Sequence, residues 1–268
     1  MKKSHIYTGQ DVTIIICAYK ECTYLEECIL SVLKQSIPVK VLISTSTPNP
    51  YIMHLADKYG LSIRVNEEGG HVKDYNFAIE QADTSLVMLM HQDDLLNKDY
   101  VKECLFFLNR AKDPIMVCTD YLEMHNDIVD CHPGKMVRIK RVLAIPLRIP
   151  GIRGTFVGKW LAQCIGNPIT HPTVMCVKEK LPKEVFRQSY IAAMDWDLWE
   201  RLIRRKGSIL FVGKVLLYHR MNKENITNSL IKETDTRYKE ELKILRRFWP
   251  LPIAKFIMHF YRKAKKYY

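Results

Sequence analysis

Two acidic clusters stand out for the chemistry their residue types allow. The first is Asp93-Asp94, which follows the apolar run Leu86-Val87-Met88-Leu89-Met90 and the pair His91-Gln92. A short apolar run of this kind reads as a buried strand, and ligands of open α/β sheets gather beyond the carboxyl ends of strands. Adjacent carboxylates at that point offer hard oxygen ligands suited to Mg²⁺ or Mn²⁺, and such an ion suits a diphosphate. The second cluster, Asp195-Trp196-Asp197-Leu198-Trp199, opens a helical pattern much later in the chain. A carboxylate there has the chemistry of a general base toward a hydroxyl. Each cluster also has a plainer reading, because Asp caps helices and complements the dipole of a first helical turn. Their order, with an α/β pattern between them, favours the chemical one.

The elements that must position these clusters follow from periodicity. Residues 12–17 are an apolar, β-branched run and predict the first strand. Tyr24, Leu25, Cys28, Ile29, Val32 and Leu33 recur at helical spacing and predict an amphipathic helix over 23–35. A strand at 39–44, a helix at 50–59 stopped by Gly60 and a strand at 61–65 come next. A helix at 72–82, the strand at 86–90, a helix at 97–110 and a strand at 115–119 continue the alternation. Such alternation predicts a parallel sheet with right-handed crossovers. From 120 to 170 the pattern weakens, with Lys135, Arg138, Lys140, Arg141, Arg148, Arg153 and Lys159 set among apolar residues. That stretch reads equally as an acceptor-facing segment or a solvated insertion. A strand at 173–177, a helix from 195 to 206, a strand at 209–218 and a charged helix at 232–248 complete the pattern.

Composition narrows the partners. A chain of 268 residues, 47% hydrophobic, is sized for one large α/β domain. Forty-one Lys and Arg against twenty-nine Asp and Glu give +12, which points to nucleic acid, an acidic membrane surface or phosphorylated substrates. No helix-turn-helix, zinc-finger or RNP-like stretch is present, so charge alone supports a non-catalytic binder of nucleic acid or anionic polymer. Eight cysteines without a C-x-x-C pair indicate a reducing cytosol and no zinc site. The first ten residues lack the apolar core of a signal peptide, and no apolar run reaches the roughly 18 residues of a spanning helix. A cytoplasmic location is therefore expected. Beyond Phe248, the apolar residues Leu251, Ile253, Phe256, Ile257, Phe260 and Tyr261 alternate with Lys and Arg. This basic amphipathic tail is expected on the inner face of an anionic membrane, with packing on the domain or on a partner as the alternatives.

The stretch Val12-Thr13-Ile14-Ile15-Ile16-Cys17-Ala18-Tyr19-Lys20 resembles the opening of family 2 glycosyltransferases, as do Tyr24-Leu25-Glu26-Glu27-Cys28-Ile29 and Leu33-Lys34-Gln35-Ser36. The resemblance runs on through Asn66, Gly69-Gly70, Asn76, Asp93-Asp94 and the Asp195 cluster, and covers residues 11–228. It implies an α/β fold of the GT-A type, a nucleotide-binding sandwich on a mixed, mainly parallel central sheet. Residues 11–119 would form the nucleotide-sugar half, 120–228 the acceptor and catalytic half, and 229–268 a basic helical extension. It also implies an inverting enzyme using Mn²⁺ or Mg²⁺, a nucleotide-diphosphate sugar with UDP favoured, and a glycan or lipid-linked acceptor in cell-surface polysaccharide synthesis.

Carried over by position, Ala18 and Tyr19 would line the nucleotide base, with Ser44, Asn76, His91, Gln92 and Asp93 also facing the donor. Asp93 and Asp94 would hold the metal, and Asp195 would be the catalytic base. The chain departs from the family where Ser44 and Thr45 replace an Asp pair. His91 replaces the first Asp of D-x-D, Met194 replaces a Glu, and Asn222 replaces a common His. Strand alternation is expected to turn His219 away from the face of Arg220. A sugar-nucleotide pyrophosphorylase, the other enzyme with a related sandwich, would need a Gly-rich loop after the first strand, and residues 17–23 contain no Gly.

Overall fold

Strand β1 (Val12–Ala18) and strand β4 (Leu86–His91) are apolar nearly throughout because both of their faces are covered. They lie side by side and parallel at the centre of a nine-stranded sheet in a computed structural model, which describes residues 6–125, 127–221 and 235–265. On the far side of β1 are β2 (Lys40–Thr45) and β3 (Ser62–Val65), also parallel. Helices α1 (Leu25–Leu33), α2 (Pro50–Tyr59) and α3 (His71–Glu80) make the crossovers. Asn49 caps α2 by accepting from the Ile52 N–H at 3.0 Å, and Gly60 ends it in the left-handed conformation at φ 63°.

After β4 the chain makes the two-residue strand β5 (Leu95–Leu96), helix α4 (Tyr100–Arg110), the long strand β6 (Pro114–His125) and the short β7 (Ile128–Val129). Helices α5 (Lys135–Leu143), α6 (Ile145–Arg148) and α7 (Phe156–Gln163) occupy the stretch where periodicity is weak. Strand β8 (Val174–Val177) then inserts antiparallel between β4 and β6. Helix α8 (Met194–Ile203) leads to β9 (Ser208–Arg220), which runs parallel to β6 and antiparallel to β5. The sheet is thus mixed, with a wholly parallel half formed by β3, β2, β1 and β4.

Strand alternation sorts side chains into two cores. Ile14, Ile16, Met88 and Met90 join α1, α2 and α4, whereas Ile15, Val87 and Leu89 join α3, α7 and α8. Helices α9 (Thr236–Leu245) and α10 (Leu251–Lys265) belong to the second core, where Ile244, Leu245, Ala254 and Met258 are buried together with Trp196 and Trp199 of α8. The Trp249 indole N–H donates to the Cys164 carbonyl at 2.6 Å, fastening the link between α9 and α10.

Strands β6 and β9 are longer than periodicity predicts. Beyond Thr119 they continue through polar residues, pairing Glu123 with His219 and Met124 with Arg220 after a bulge near Asp120. Polar positions there read as strand ends because they are buried among one another rather than facing solvent. Of the charged helix expected at 232–248, α9 is the described part; residues 222–234, Asn222 among them, lie outside the described residues.

Candidate functional site

The first acidic cluster is held by a pairing that no local pattern announces. Leu95 pairs with Tyr218 and Leu96 with Leu217, so the same register carries Asp94 against His219. Asp94 is fully buried; its Oδ1 accepts from His219 Nδ1 at 2.8 Å and from the Arg220 backbone N–H at 3.0 Å. Arg220 is locked in turn. Its Nε donates to the Asp93 carbonyl at 3.0 Å, Nη2 donates to Glu27 at 2.8 Å, and the guanidinium lies 3.8 Å from the Tyr24 ring centroid. The expected alternation holds for the two side chains, yet both residues brace Asp94, one through its ring and the other through its main chain.

Burial is the largest single influence and acts to raise the Asp94 carboxyl, but the His219 imidazole, His91 and the Arg220 N–H together hold it below its ordinary value. Burial alone would lower His219, while Asp94 lifts it. Asp93 goes the other way: burial first, then the neighbouring Asp94 charge, raise it to about 6. His91 Nε2 is 3.2 Å from His171 Nδ1, and His91 Nδ1 is 3.7 Å from Asp94 Oδ2. Burial lowers His91 to about 4 and holds His171 well below the ordinary imidazole value, so both rings are neutral near pH 7. Tyr75 and Phe186 pack on His171 at 5.1 and 5.3 Å between centroids.

His91, Asp93 and Asp94 offer three ligand atoms within 4.8 Å of one another. Asp94 Oδ2 is buried and has no hydrogen-bond partner among the described residues. A buried carboxylate oxygen left bare is costly unless a cation or a water completes it. This donor set therefore fits a divalent ion.

The residues expected to face the nucleotide lie at and around the ends of β1, β2 and β3. Ala18 is buried, and the Gln92 amide pairs with both main-chain groups of Tyr19, at 2.8 and 3.0 Å. Gln92 thus ties the end of β1 to the acidic loop. Ser44 and Thr45 are buried in β2 and carry no charge. A carboxylate arrives instead from α3: Asp74 accepts from Ser46 Oγ at 2.8 Å and from Asn66 Nδ2 at 2.7 Å. Burial, with Asp74 second, raises the nearby Cys17 thiol to about 12. The turn before α3 needs Gly69 and Gly70, whose φ values are 61° and 110°. Asn76, expected at the donor, has both ends of its amide paired with the Phe186 main chain at 2.7 and 2.8 Å. Its hydrogen-bonding groups are engaged in clamping α3 to the loop before α8.

Asp195 lies half-buried in the first turn of α8, its Oδ1 accepting from the Trp196 N–H at 2.7 Å and its Oδ2 from Asn167 Nδ2 at 2.9 Å. Burial raises its carboxyl above the ordinary range, and these bonds with Arg237 and Lys140 offset that only in part. Burial likewise lowers the Lys140 ammonium to about 8, with Asp195 its leading counterweight. Lys140 also acts on His219, so the two acidic clusters share one electrostatic neighbourhood. The segment 167–171 joins them mechanically. Asn167 holds Asp195, Thr170 accepts from Lys140 Nζ at 2.9 Å, and His171 meets His91.

The companion Asp197 has a different job. It is fully buried, with Arg201 Nε at 3.0 Å, Arg247 Nη2 at 2.6 Å and Arg187 at 3.7 Å. Arg247 also reaches Glu200 at 2.8 Å. This cage fixes α8 to α9. Helix α8 lacks a side-chain cap at Ala193, and Glu240 of α9 supplies one. Its Oε1 accepts from Ile191 N–H at 2.9 Å, and its Oε2 from Ala192 and Ala193 N–H at 2.9 and 2.8 Å. Trp196 and Trp199 are both buried in the core. Periodicity pointed to none of Asn167, His171, His219 or Glu240 as site-building residues.

The model of glycosyl transferase family 2 matches residues 13–151. A curated relative, the poly(ribitol-phosphate) β-N-acetylglucosaminyltransferase TarS of Staphylococcus aureus, is 24% identical over 114 residues. That alignment covers 39% of this chain and only 20% of the relative, so the chain matches about a fifth of its length. The structure of TarS residues 1–349 with UDP-GlcNAc superposes with a TM-score of 0.65 at 16% identity, covering 93% of this chain and 70% of that one. The mannosyltransferase PcManGT of Pyrobaculum calidifontis, solved with GDP-Man and Mn²⁺, gives 0.63 at 16% identity, covering 97% and 70%. Glucosyl-3-phosphoglycerate synthase of Mycobacterium tuberculosis with Mn²⁺, UDP and product gives 0.58 at 13% identity, covering 89% and 80%. These likenesses establish the fold.

Proposed function

The chain belongs to glycosyl transferase family 2 and is a glycosyltransferase of the GT-A fold, and we propose that it transfers a sugar, with inversion, from a UDP-sugar to a hydroxyl of a glycan or lipid-linked acceptor. The observation that carries this reading is the segment 167–171, which braces Asp195 at one end and His91 beside Asp93 and Asp94 at the other. A base and a diphosphate-metal site held by one short segment are what a displacement at a sugar carbon requires.

Asp93 and Asp94 would hold Mn²⁺ or Mg²⁺, which when bound neutralises charge growing on the leaving diphosphate. Asp195 takes the proton of the acceptor hydroxyl on a remaining lone pair of its carboxylate, whose orientation the Asn167 amide and the Trp196 N–H fix. Its raised pKa makes it, once ionised, a stronger base than an ordinary Asp. Attack from the side of Asp195, opposite the diphosphate, inverts the anomeric centre.

On the donor side, Gln92 fixes the Tyr19 main chain at the rim of the base pocket. Asp74 offers the charged acceptor that Ser44 and Thr45 lack, which supports a uracil ring with its N–H donor. Two of the three structural likenesses named above hold UDP or UDP-GlcNAc, which agrees with that reading. The acceptor named for TarS, a ribitol-phosphate polymer, supports a role in cell-surface polymers.

No described helix is long and apolar enough to cross a membrane. Helix α10 buries Ala254 and Met258 yet exposes Ile253, Phe256 and Phe260 beside Lys255, a face that supports docking on the anionic inner surface of the cell membrane. Replacing Asp195 tests the assignment of the base. Asp195→Asn should lower transfer by about 10²–10⁴-fold with donor affinity unchanged; transfer at the wild-type rate would remove Asp195 from that role.

A further inference from the structure

We infer that His91 is a nitrogen ligand of the bound cation, so that this site takes a first-row transition ion such as Mn²⁺ in preference to Mg²⁺. The inference rests on the metal reading of Asp93 and Asp94 given above and adds a ligand and a selectivity to it.

Three observations converge on His91. Its Nδ1 faces Asp94 Oδ2 across 3.7 Å. That gap is too long for a hydrogen bond and lies within the spread of two ligands each about 2.1 Å from a shared ion. Asp94 cannot close the gap by turning, because its other oxygen is held by His219 Nδ1 and the Arg220 N–H. The oxygen facing His91 is buried and unpartnered among the described residues, so the pair forms a fixed N/O jaw with Asp93 beside it.

The third observation is behind the ring. His91 Nε2 meets His171 Nδ1 at 3.2 Å, and Tyr75, Phe186 and Trp199 pack round His171. A metal-bound imidazole characteristically donates its other N–H to a fixed acceptor, which sets the tautomer and aims the bare nitrogen. With Nε2–H given to His171, the lone pair of His91 Nδ1 points into the jaw. Imidazole nitrogen suits first-row transition ions better than Mg²⁺, which keeps an all-oxygen shell; Mn²⁺ is the most oxygen-seeking of that row but still gains from a nitrogen ligand relative to Mg²⁺. An Asp at this position would leave three carboxylates and no such preference.

The test is pulsed EPR on the full chain loaded with Mn²⁺ alone, with no nucleotide present, alongside competition titrations of Mn²⁺ against Mg²⁺. Wild type should show ¹⁴N coupling of a directly bound imidazole and bind Mn²⁺ more tightly than Mg²⁺. His91→Asp should still bind Mn²⁺, lose the nitrogen coupling and lose most of the preference. His171→Phe, which keeps the aromatic packing, should weaken Mn²⁺ binding by about 10–100-fold.

A wild-type Mn²⁺ spectrum with oxygen ligands only, no Mn²⁺ binding at millimolar concentration, or nitrogen coupling that survives in His91→Asp would each overturn the inference. The wild-type spectrum decides the point by itself if a variant fails to fold. Donor turnover is scored separately. Turnover without nitrogen coupling sinks only the ligand assignment, whereas nitrogen coupling in a protein that binds and turns over no nucleotide sugar in the separate assay sinks only the proposed transfer.

Discussion

Glu240→Ala isolates the claim that α9 holds the helix carrying the proposed base. Glu240 is buried and accepts three main-chain N–H groups at the start of α8. Ile191 is exposed, so its N–H passes to water when the carboxylate is removed. Ala193 is buried and Ala192 half-buried, so these two lose charge-assisted bonds with little to replace them. At about 1.5–2 kcal/mol each, the variant should lose about 3–4 kcal/mol, and at about 2–4 °C per kcal/mol for a chain of this size its Tm should fall by about 6–16 °C.

Glu240→Gln provides the internal control. Its carbonyl oxygen keeps the two bonds to Ala192 and Ala193, and only the Ile191 bond and the charge are lost. A cost of about 1–1.5 kcal/mol and a Tm drop of about 2–6 °C are expected. Differential scanning calorimetry at pH 7 measures both, and transfer assays should show kcat falling more than donor KM rises, because Asp195 is two residues beyond Ala193. Equal shifts for Ala and Gln, or a drop below about 2 °C for Ala, would refute the idea that these N–H groups depend on Glu240.

Other expectations follow from the same geometry. The acidic limb of the pH–rate profile should sit above the ordinary Asp value, because a base with a raised pKa must lose its proton before transfer begins. Asn167→Ala removes a bond that favours the charged form, so it should move that limb to higher pH; a limb that stays put would detach Asn167 from Asp195. The raised pKa has a stability counterpart. Its contribution is full below the unfolded Asp pKa of about 4 and is lost as pH rises through the folded value, so wild type should lose stability relative to Asp195→Asn over that window. Thermal melts of both across the window check the sign. Arg247→Met uncovers one side of buried Asp197 and Glu200 and should cost about 2–3 kcal/mol by urea unfolding, since Arg201 and Arg204 remain. Phe256→Ser with Phe260→Ser should cut sedimentation with phosphatidylserine vesicles while Tm is unchanged; undiminished binding would exclude α10 as the docking face.

The central strands were legible because burial on both faces writes itself as unbroken apolar runs, as in Ile14-Ile15-Ile16 and Leu86 to Met90. Asp93, Asp94 and Asp195 stand out in the sequence because each follows or opens an element where ligands gather, and the roles proposed for them rest on that placement. The rest of the site is made by contacts distant in sequence, which leave no local period. Strand β5 is two residues long, yet its pairing with β9 brings His219 to Asp94. Asn167 and His171 sit in an irregular segment whose role comes from what lies at each end of it. Glu240 reads as one more acid on a charged helix, and only packing shows that it caps another. Asn76 shows the converse, a motif residue whose amide is occupied by the Phe186 main chain.

The most direct test is turnover of a panel of nucleotide sugars, with Mn²⁺, with Mg²⁺ and with a chelator, by wild type and by Asp93→Ala. Metal-dependent release of a nucleoside diphosphate from one donor, a UDP-sugar, is expected, abolished by the chelator and by Asp93→Ala while the fold is retained. Failure of every donor to bind or turn over, or turnover indifferent to both the chelator and Asp93→Ala, would contradict it.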